Sequence, residues 1–249
     1  MGAIYGRTLL EMQVKKAIPP IAVITADVVG SSKYSAWDRG RLDGILRAAF
    51  RETQRRFPEA IHTGLAFRIT AGDEFQCVLA DAPQVLKVLT YLRAVVATAK
   101  LDPPIRFRAS IGIGTLSTPK RPNPYEQDGV AFVRARRGLE RISKGRSSAR
   151  WTVLATGGAD VDTAAEAVLC LADYIMDGWT ISQWEAVRWA LLGLKRHEVA
   201  VKLNIAHQNV TKRLLAAGWP QIDLAFASMA HLLAMSNSTQ KAVQSRMAP

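Results

Sequence analysis

A continuous apolar run rich in β-branched residues, Ile21-Ala22-Val23-Ile24-Thr25-Ala26, constrains this chain more than any other feature. It lacks the alternation of a half-exposed strand, so it predicts a strand buried on both faces. Asp27 stands at its end, and Gly30-Ser31-Ser32 follow as a turn. Ser35, with Asp38 three residues on, has the spacing of a capping box and opens a predicted helix through about Phe57. Leu42, Ile45, Leu46 and Phe50 fall on one face of that helix, and Arg39, Arg41, Arg47 and Arg51 lie largely elsewhere.

Past Pro58 the pattern changes period. Two short apolar runs, Leu65 to Thr70 and Phe75 to Leu79, flank Ala71-Gly72-Asp73-Glu74 and predict a hairpin. Ala82 to Ala99 reads as a helix, and Ile105 to Leu116 as a strand whose Ile111-Gly112-Ile113-Gly114 segment invites close backbone approach. The order is then β-α-β-β-α-β, an α+β fold of ferredoxin-like or palm type. That topology sets the first strand beside the second strand of the hairpin and brings Asp27 close to the Asp73 turn. A helix over Gln127 to Ser143, preceded by the Pro-rich segment Pro119 to Pro124, a short strand over Trp151 to Ala155 and a helix over Thr163 to Met176 complete this part.

The C-terminal third has a different character. Trp179 to Leu194 opens a helix, Lys195 to Leu203 gives a second, Asn204-Ile205-Ala206 makes a turn, and His207 to Ala217 gives a third. Val199, Ala200, Leu203, Val210, Leu214 and Leu215 point inward, which leaves His207, Gln208, Asn209, Thr211, Lys212 and Arg213 for the other side. The spacing resembles the helix-turn-helix of LuxR-type regulators and sigma-factor region four. In that reading the six polar residues contact double-stranded DNA, with Gln and Asn suited to adenine edges and Lys and Arg to guanine or phosphate. Read blandly, the same helices form a small bundle whose polar face meets water or another subunit. Ile222 to Met235 is an apolar amphipathic helix whose polar face lacks the basic residues of a membrane-surface helix. The expected domains are an extension over 1–18, a palm domain over 19–172, a helix-turn-helix domain over 173–235 and a disordered tail over 236–249.

Charge narrows the partners. With 33 Lys and Arg against 21 Asp and Glu the chain carries about +12, which favours an anionic partner such as nucleic acid, a nucleotide or an acidic surface. Cys77 and Cys170 form neither a disulfide framework nor a metal-ligand cluster, in keeping with a reducing cytoplasm. No apolar stretch approaches the length of a membrane span, so a cytoplasmic, soluble protein is expected. Met1 to Lys16 runs from apolar to basic, the reverse of a signal peptide, and reads as a short helix or frayed extension.

The two acids are the chemical core of the prediction. Magnesium or manganese takes hard oxygen ligands, commonly one or two carboxylates plus substrate phosphates. Asp27 and Asp73 supply the carboxylates, Val28 a carbonyl, and Glu74 a substitute or helper. Gly72 lets the turn approach a ligand, while the amides of Gly30, Ser31 and Ser32 cradle phosphate before a helix. Arg68, Arg106 and Arg108 are placed to neutralise phosphate charge. Taken singly, a Gly-Asp-Glu turn is ordinary hairpin chemistry; it is Asp27 opposite that makes a site.

Four segments carry a family resemblance. Ile24-Thr25-Ala26-Asp27-Val28-Val29-Gly30-Ser31-Ser32, Gly72-Asp73-Glu74-Phe75-Gln76, Arg108-Ala109-Ser110-Ile111-Gly112-Ile113-Gly114 and Asp128-Gly129-Val130-Ala131-Phe132-Val133-Arg134-Ala135-Arg136 resemble the SatD family of bacterial proteins. More distantly they are similar to class III nucleotidyl cyclases and GGDEF domains. The resemblance implies a palm domain, two acids that hold metal (Asp27 and Asp73), and two-metal phosphoryl transfer. It also implies a homodimer with a shared site. The cyclases present an asparagine and an arginine from a helix resembling Gly129 to Arg137; here Val133 stands where the asparagine is expected, and Arg136 or Arg137 remains for the arginine's role. A missing donor at developing charge slows a reaction by about a hundred- to a thousandfold. The leading expectation is therefore a DNA-binding regulator whose palm domain binds a nucleoside triphosphate or other nucleotide with metal. The alternatives are a nucleotidyl cyclase or related transferase, and a scaffold whose basic faces join partners.

Overall fold

The computed structural model describes residues 20–71, 73–99, 101, 104–116, 129–145 and 151–246. Gly72, Asp128, the Pro-rich segment and the expected N-terminal extension lie outside them. The described residues form a mixed α+β fold around a five-stranded sheet ordered β2-β3-β1-β4-β5.

The opening run becomes β1 (Ile21–Val28), and it occupies the centre of the sheet. Alternate residues serve opposite layers, as the period of two requires. Ala22, Ile24, Ala26 and Val28 join the main core with Leu42, Leu46 and Phe50 of α1 (Ala36–Arg56) and Val85, Val88, Leu89 and Leu92 of α2 (Val85–Ala97). Ile21 and Val23 meet Ala131, Phe132 and Ala135 of α3 (Val130–Ser143) on the other face. Ser35 caps α1 by accepting the Asp38 amide at 3.1 Å and donating its hydroxyl to the Asp38 carboxylate at 2.7 Å.

β2 (Arg68–Ala71) and β3 (Glu74–Leu79) form the expected hairpin, and β3 lies antiparallel to β1 with Asp27 opposite Glu74. β4 (Phe107–Gly114) runs antiparallel on the other side of β1, and β5 (Thr152–Ala155) parallel to β4. The glycines of β4 explain how α3 seats so closely. A Cβ built on Gly112 would lie 2.0 Å from the Ala131 carbonyl oxygen, so only glycine admits the helix. Gly138 repeats the logic from the helix side, where a Cβ would lie 2.1 Å from Ser110 Oγ.

Four helices follow α4 (Ala159–Asp177): α5 (Ile181–Ala190), α6 (Arg196–Leu203), α7 (His207–Ala216) and α8 (Trp219–Arg246). The boundary expected at 172/173 falls inside α4, and a single buried cluster runs from the strands through Val187, Val199, Val210 and Leu214 to Leu233. Polar contacts reinforce the junction. Arg188 of α5 donates to Glu52 of α1, which also accepts the Tyr91 hydroxyl of α2 at 2.8 Å. Arg93 of α2 donates to Thr152 Oγ1 at 2.8 Å and Asp173 at 3.3 Å, while Asp173 accepts the Thr152 amide at 2.7 Å.

The C-terminal tail departs from expectation, because α8 continues to Arg246 where a disordered segment was expected from Ser236. Buried Ile222, Phe226, Met229 and Leu233 anchor its first half at helical spacing. With a nucleus already formed, Gln240, Lys241, Ala242 and Gln244 extend the helix at little cost.

Candidate functional site

The strand order delivers the two acids to one end of the sheet. The Val28 amide donates to the Asp73 carbonyl at 3.2 Å, so the end of β1 is stitched to the hairpin turn. Their side chains nonetheless have different surroundings. Asp27 shares a sheet face with its register partners Glu74 and Arg108. Both of its carboxylate oxygens accept from the Arg108 guanidinium, Oδ1 from Nε at 3.1 Å and Oδ2 from Nη2, in a fork matched to a carboxylate. Asp73 instead lines a cavity of about 330 Å³ with Ser31, Ser32 and Arg39.

That cavity owes its shape to the turn after β1. Gly30 takes a left-handed conformation at φ 70°, which swings Ser31–Lys33 into a single 3-10 turn ahead of α1. Arg39 reaches back from the first turn of α1 to the Ser32 carbonyl at 3.4 Å. Two hydroxyl-bearing residues, a guanidinium and a carboxylate thus share one space with Leu42 and Leu46, polar groups suited to a phosphate chain set on a largely apolar wall. Asp43 shares the wall, its carboxylate held by Arg47 at 2.8 Å.

Other predicted residues fall at varying distances from this centre. Arg68 is opposite Gln76 at the sheet edge and donates to the Gly64 carbonyl at 3.3 Å. Glu74 accepts the Thr70 hydroxyl at 3.2 Å. Arg106 lies apart, paired with Asp177 at 2.8 Å. Arg136 and Arg137 are exposed on α3, as is Val133 one turn earlier. Among the described residues no group of three or more His, Cys, Asp or Glu is gathered to hold a metal ion. Cys77 is buried, which pushes its thiol well up from the usual range, while Cys170 is half-buried.

On the C-terminal helices, Asn204 ends α6 in the left-handed region at φ 51°, a conformation Asn tolerates better than most residues. The chain reverses there into α7, whose His207, Gln208, Asn209 and Lys212 are exposed, with Thr211 half-buried. Arg213 is tied inward to the Ser182 carbonyl at 3.4 Å and Glu185 at 3.1 Å, bracing α7 against α5.

Sequence reasoning missed Arg39, which looked like one of several surface arginines on α1; its place one turn after the Ser35 cap was the available signal. The Glu52–Arg188 and Arg93–Asp173 pairs gave none, since 136 and 80 residues separate their partners.

The fold and site define a mixed α+β chain with a cleft at the end of its central strand, lined by Asp73, Arg39, two serines and two leucines, and a helical C-terminal part packed on the same core. The chain belongs to the SatD family, whose family model matches residues 20–230, as the four sequence segments indicated. No curated protein matches it. Among solved structures, the dimeric guanylyl cyclase domain of the RhoGC fusion protein from the aquatic fungus Blastocladiella emersonii is similar at 15% identity and a TM-score of 0.33, over 49% of this chain and 74% of that one. A regulator of polyketide synthase expression from Bifidobacterium adolescentis is similar at 15% identity and a TM-score of 0.25, over 90% of this chain and 81% of that one. No helix among the described residues is long and apolar enough to cross a membrane.

Proposed function

We propose that this SatD family protein is a DNA-binding transcriptional regulator, with a ferredoxin-like palm part built on the sheet that senses a metal-nucleotide and a helix-turn-helix part centred on α6 and α7. The observation that carries the DNA reading is the α6–Asn204–α7 reversal, which leaves His207, Gln208, Asn209 and Lys212 exposed on one short helix. These side chains suit base edges and phosphates in a major groove. Lys195, Arg196 and Lys202 are exposed on and before α6 and add positive charge beside it.

The cavity beside Asp73 supports the nucleotide reading. Ser31 and Ser32 with Gly30 would cradle phosphates, and Arg39 would add charge. Magnesium or manganese would be held by Asp73 and Asp27 with the Val28 carbonyl, and would neutralise phosphate charge. Asp27 can serve only if Arg108 gives it up. A bound triphosphate offers that guanidinium a replacement partner of the same geometry. Nucleotide and metal would thus enter together, which favours sensing over rapid turnover. Two exposed arginines on α3 and the acid-bearing cleft keep the nucleotidyl cyclase alternative open to assay, while Val133 counts against it.

The decisive experiment measures binding of the full chain to duplex DNA between about 50 and 200 mM salt, with and without manganese and each nucleoside triphosphate. Salt-sensitive binding that shifts with one nucleotide is expected, with the shift lost in Asp73→Ala and the binding lost in Asn209→Ala/Lys212→Ala. Absence of DNA binding, or nucleotide-independent binding, would sink the respective half. Incubation with the same nucleotides tests the enzyme: cyclic product that vanishes in Asp73→Ala would replace the sensor reading.

A further inference from the structure

The junction between the sheet and the C-terminal helices contains a second cavity, of about 130 Å³. Three indoles, Trp151, Trp179 and Trp184, share its walls with Ile105, Phe107 and Met176. Two ion pairs border it, Arg106 with Asp177 at 2.8 Å and the buried Arg93 with Asp173 at 3.3 Å. Each cation is therefore matched by its own carboxylate. Arg93 donates further to the Trp151 carbonyl at 3.1 Å, and Asp173 accepts the Trp151 amide at 3.1 Å. An ionic ligand would meet charges already neutralised by their own partners, whereas an uncharged ring would meet aromatic and aliphatic walls. The volume sets the size, since a dry apolar cavity of roughly 150 Å³ is known to take benzene.

The walls also touch α7. Trp179 Nε1 donates to the carbonyl of Ala217, the C-cap of α7, at 2.7 Å. The same indole meets Trp184 edge-on at 4.5 Å between centroids and Trp219 of α8 at 6.4 Å. One side chain therefore both lines the cavity and fixes the end of α7.

We propose that this cavity is a binding site for a small, uncharged aromatic molecule of about one ring, and that its occupancy stiffens the C-terminal end of α7 through Trp179. The site does not depend on DNA or nucleotide binding, so its test is separate from theirs. Fluorine NMR titration of the full chain with fluorobenzene, and in parallel with 2-fluorobenzoate, reads both parts of the ligand class. Saturable binding of fluorobenzene is expected, with the charged analogue at least about tenfold weaker. Ala97 of α2 lines the same cavity, so Ala97→Phe, which adds a ring there, should abolish binding, and the milder Ala97→Leu should weaken it several-fold with the circular dichroism spectrum kept. Amide exchange at Ala217 and Gly218 should slow on saturation. No saturable binding up to about 10 mM, or undiminished binding in a folded Ala97→Leu, would overturn the site. Equal affinity for fluorobenzoate would overturn the uncharged class, and unchanged exchange at Ala217 and Gly218 would overturn the link to α7.

Discussion

Replacing Gly112 by Ala puts the closeness of α3 to β4 to a direct test. The new methyl carbon would lie 2.0 Å from the Ala131 oxygen and 2.6 Å from the Ala135 nitrogen, both backbone atoms that cannot rotate away. Ordinary contact begins near 3.4 Å, so α3 would have to retreat by roughly 1.4 Å. That retreat uncovers Ile21 and Val23 and thins the contacts of Ala131, Phe132 and Ala135. Overpacking of this kind costs about 1–3 kcal/mol, and β4 has neighbours on both sides that stop it yielding, so the upper end is expected. For a chain of this size about 3 kcal/mol lowers Tm by roughly 6–12 °C. Gly44→Ala is the matched control: nothing lies within 4 Å of its Cβ position in the middle of α1. There the same methyl should raise Tm by about 2–4 °C through helix propensity. Thermal unfolding followed by circular dichroism at one protein concentration compares the two. If Gly112→Ala proved as stable as Gly44→Ala, α3 would not be seated on the sheet as described.

Three further outcomes follow from the junction and the turn. Arg188→Met leaves Glu52 without its guanidinium and should cost about 1–3 kcal/mol in urea unfolding, in one transition with unchanged slope; two separated transitions would mean the C-terminal helices fold independently of the sheet. Glu52 is pushed up by burial but more strongly down by hydrogen bonds from Arg188 and Tyr91, leaving its carboxyl below the usual 4.5. Its contribution is therefore present above that value and lost as pH falls through the lower folded value, so the stability gap between wild type and Glu52→Gln should close as the pH is taken below the usual carboxylate range; a gap constant with pH would refute the pairing. At the left-handed Asn204, Val should cost about 1–2 kcal/mol in the same urea assay while Gly stays within about 0.5, and a tolerated Val would show that the turn is not the constraint.

Much of this fold could be read from the chain because its strongest signals are local. β1 declared itself by an unbroken run of apolar and β-branched residues, and the Gly112–Gly114 repeat declared the close approach of α3 before its partner helix was known. Capping at Ser35 and the reversal at Asn204 are decided within four residues. What escaped was non-local. The Ser-, Gln- and Lys-rich end of α8 lacks any core pattern of its own, yet it inherits helical structure from four buried residues upstream. The expected break at residue 172 lies between the local turn signals Gly157-Gly158 and Asp177-Gly178, whereas the buried cluster that crosses it depends on which helices meet α2.

The acids show the same divide at the scale of a site. Their proximity follows from strand order, which sequence period can supply; the choice of partner for each carboxylate depends on register, which it cannot. Asp27 meets Arg108 because the two are register partners on neighbouring strands β1 and β4, and their side chains are largely buried, at 19% and 26% exposure. A cation approaching Asp27 must therefore displace another cation. Removing it in Arg108→Gln should tighten manganese binding in the absence of nucleotide by about tenfold, the effect of withdrawing roughly 1.4 kcal/mol of competing charge. The same variant should bind a manganese-triphosphate more weakly than wild type, because Arg108 is then missing as a phosphate partner. Manganese titration by electron paramagnetic resonance, with and without triphosphate, separates the two effects. Opposite changes support an exchange of partners at Asp27. Unchanged manganese affinity in Arg108→Gln, matched by unchanged affinity in Asp27→Asn, would make the pair a structural clamp and leave the cavity beside Asp73 as the whole of the site.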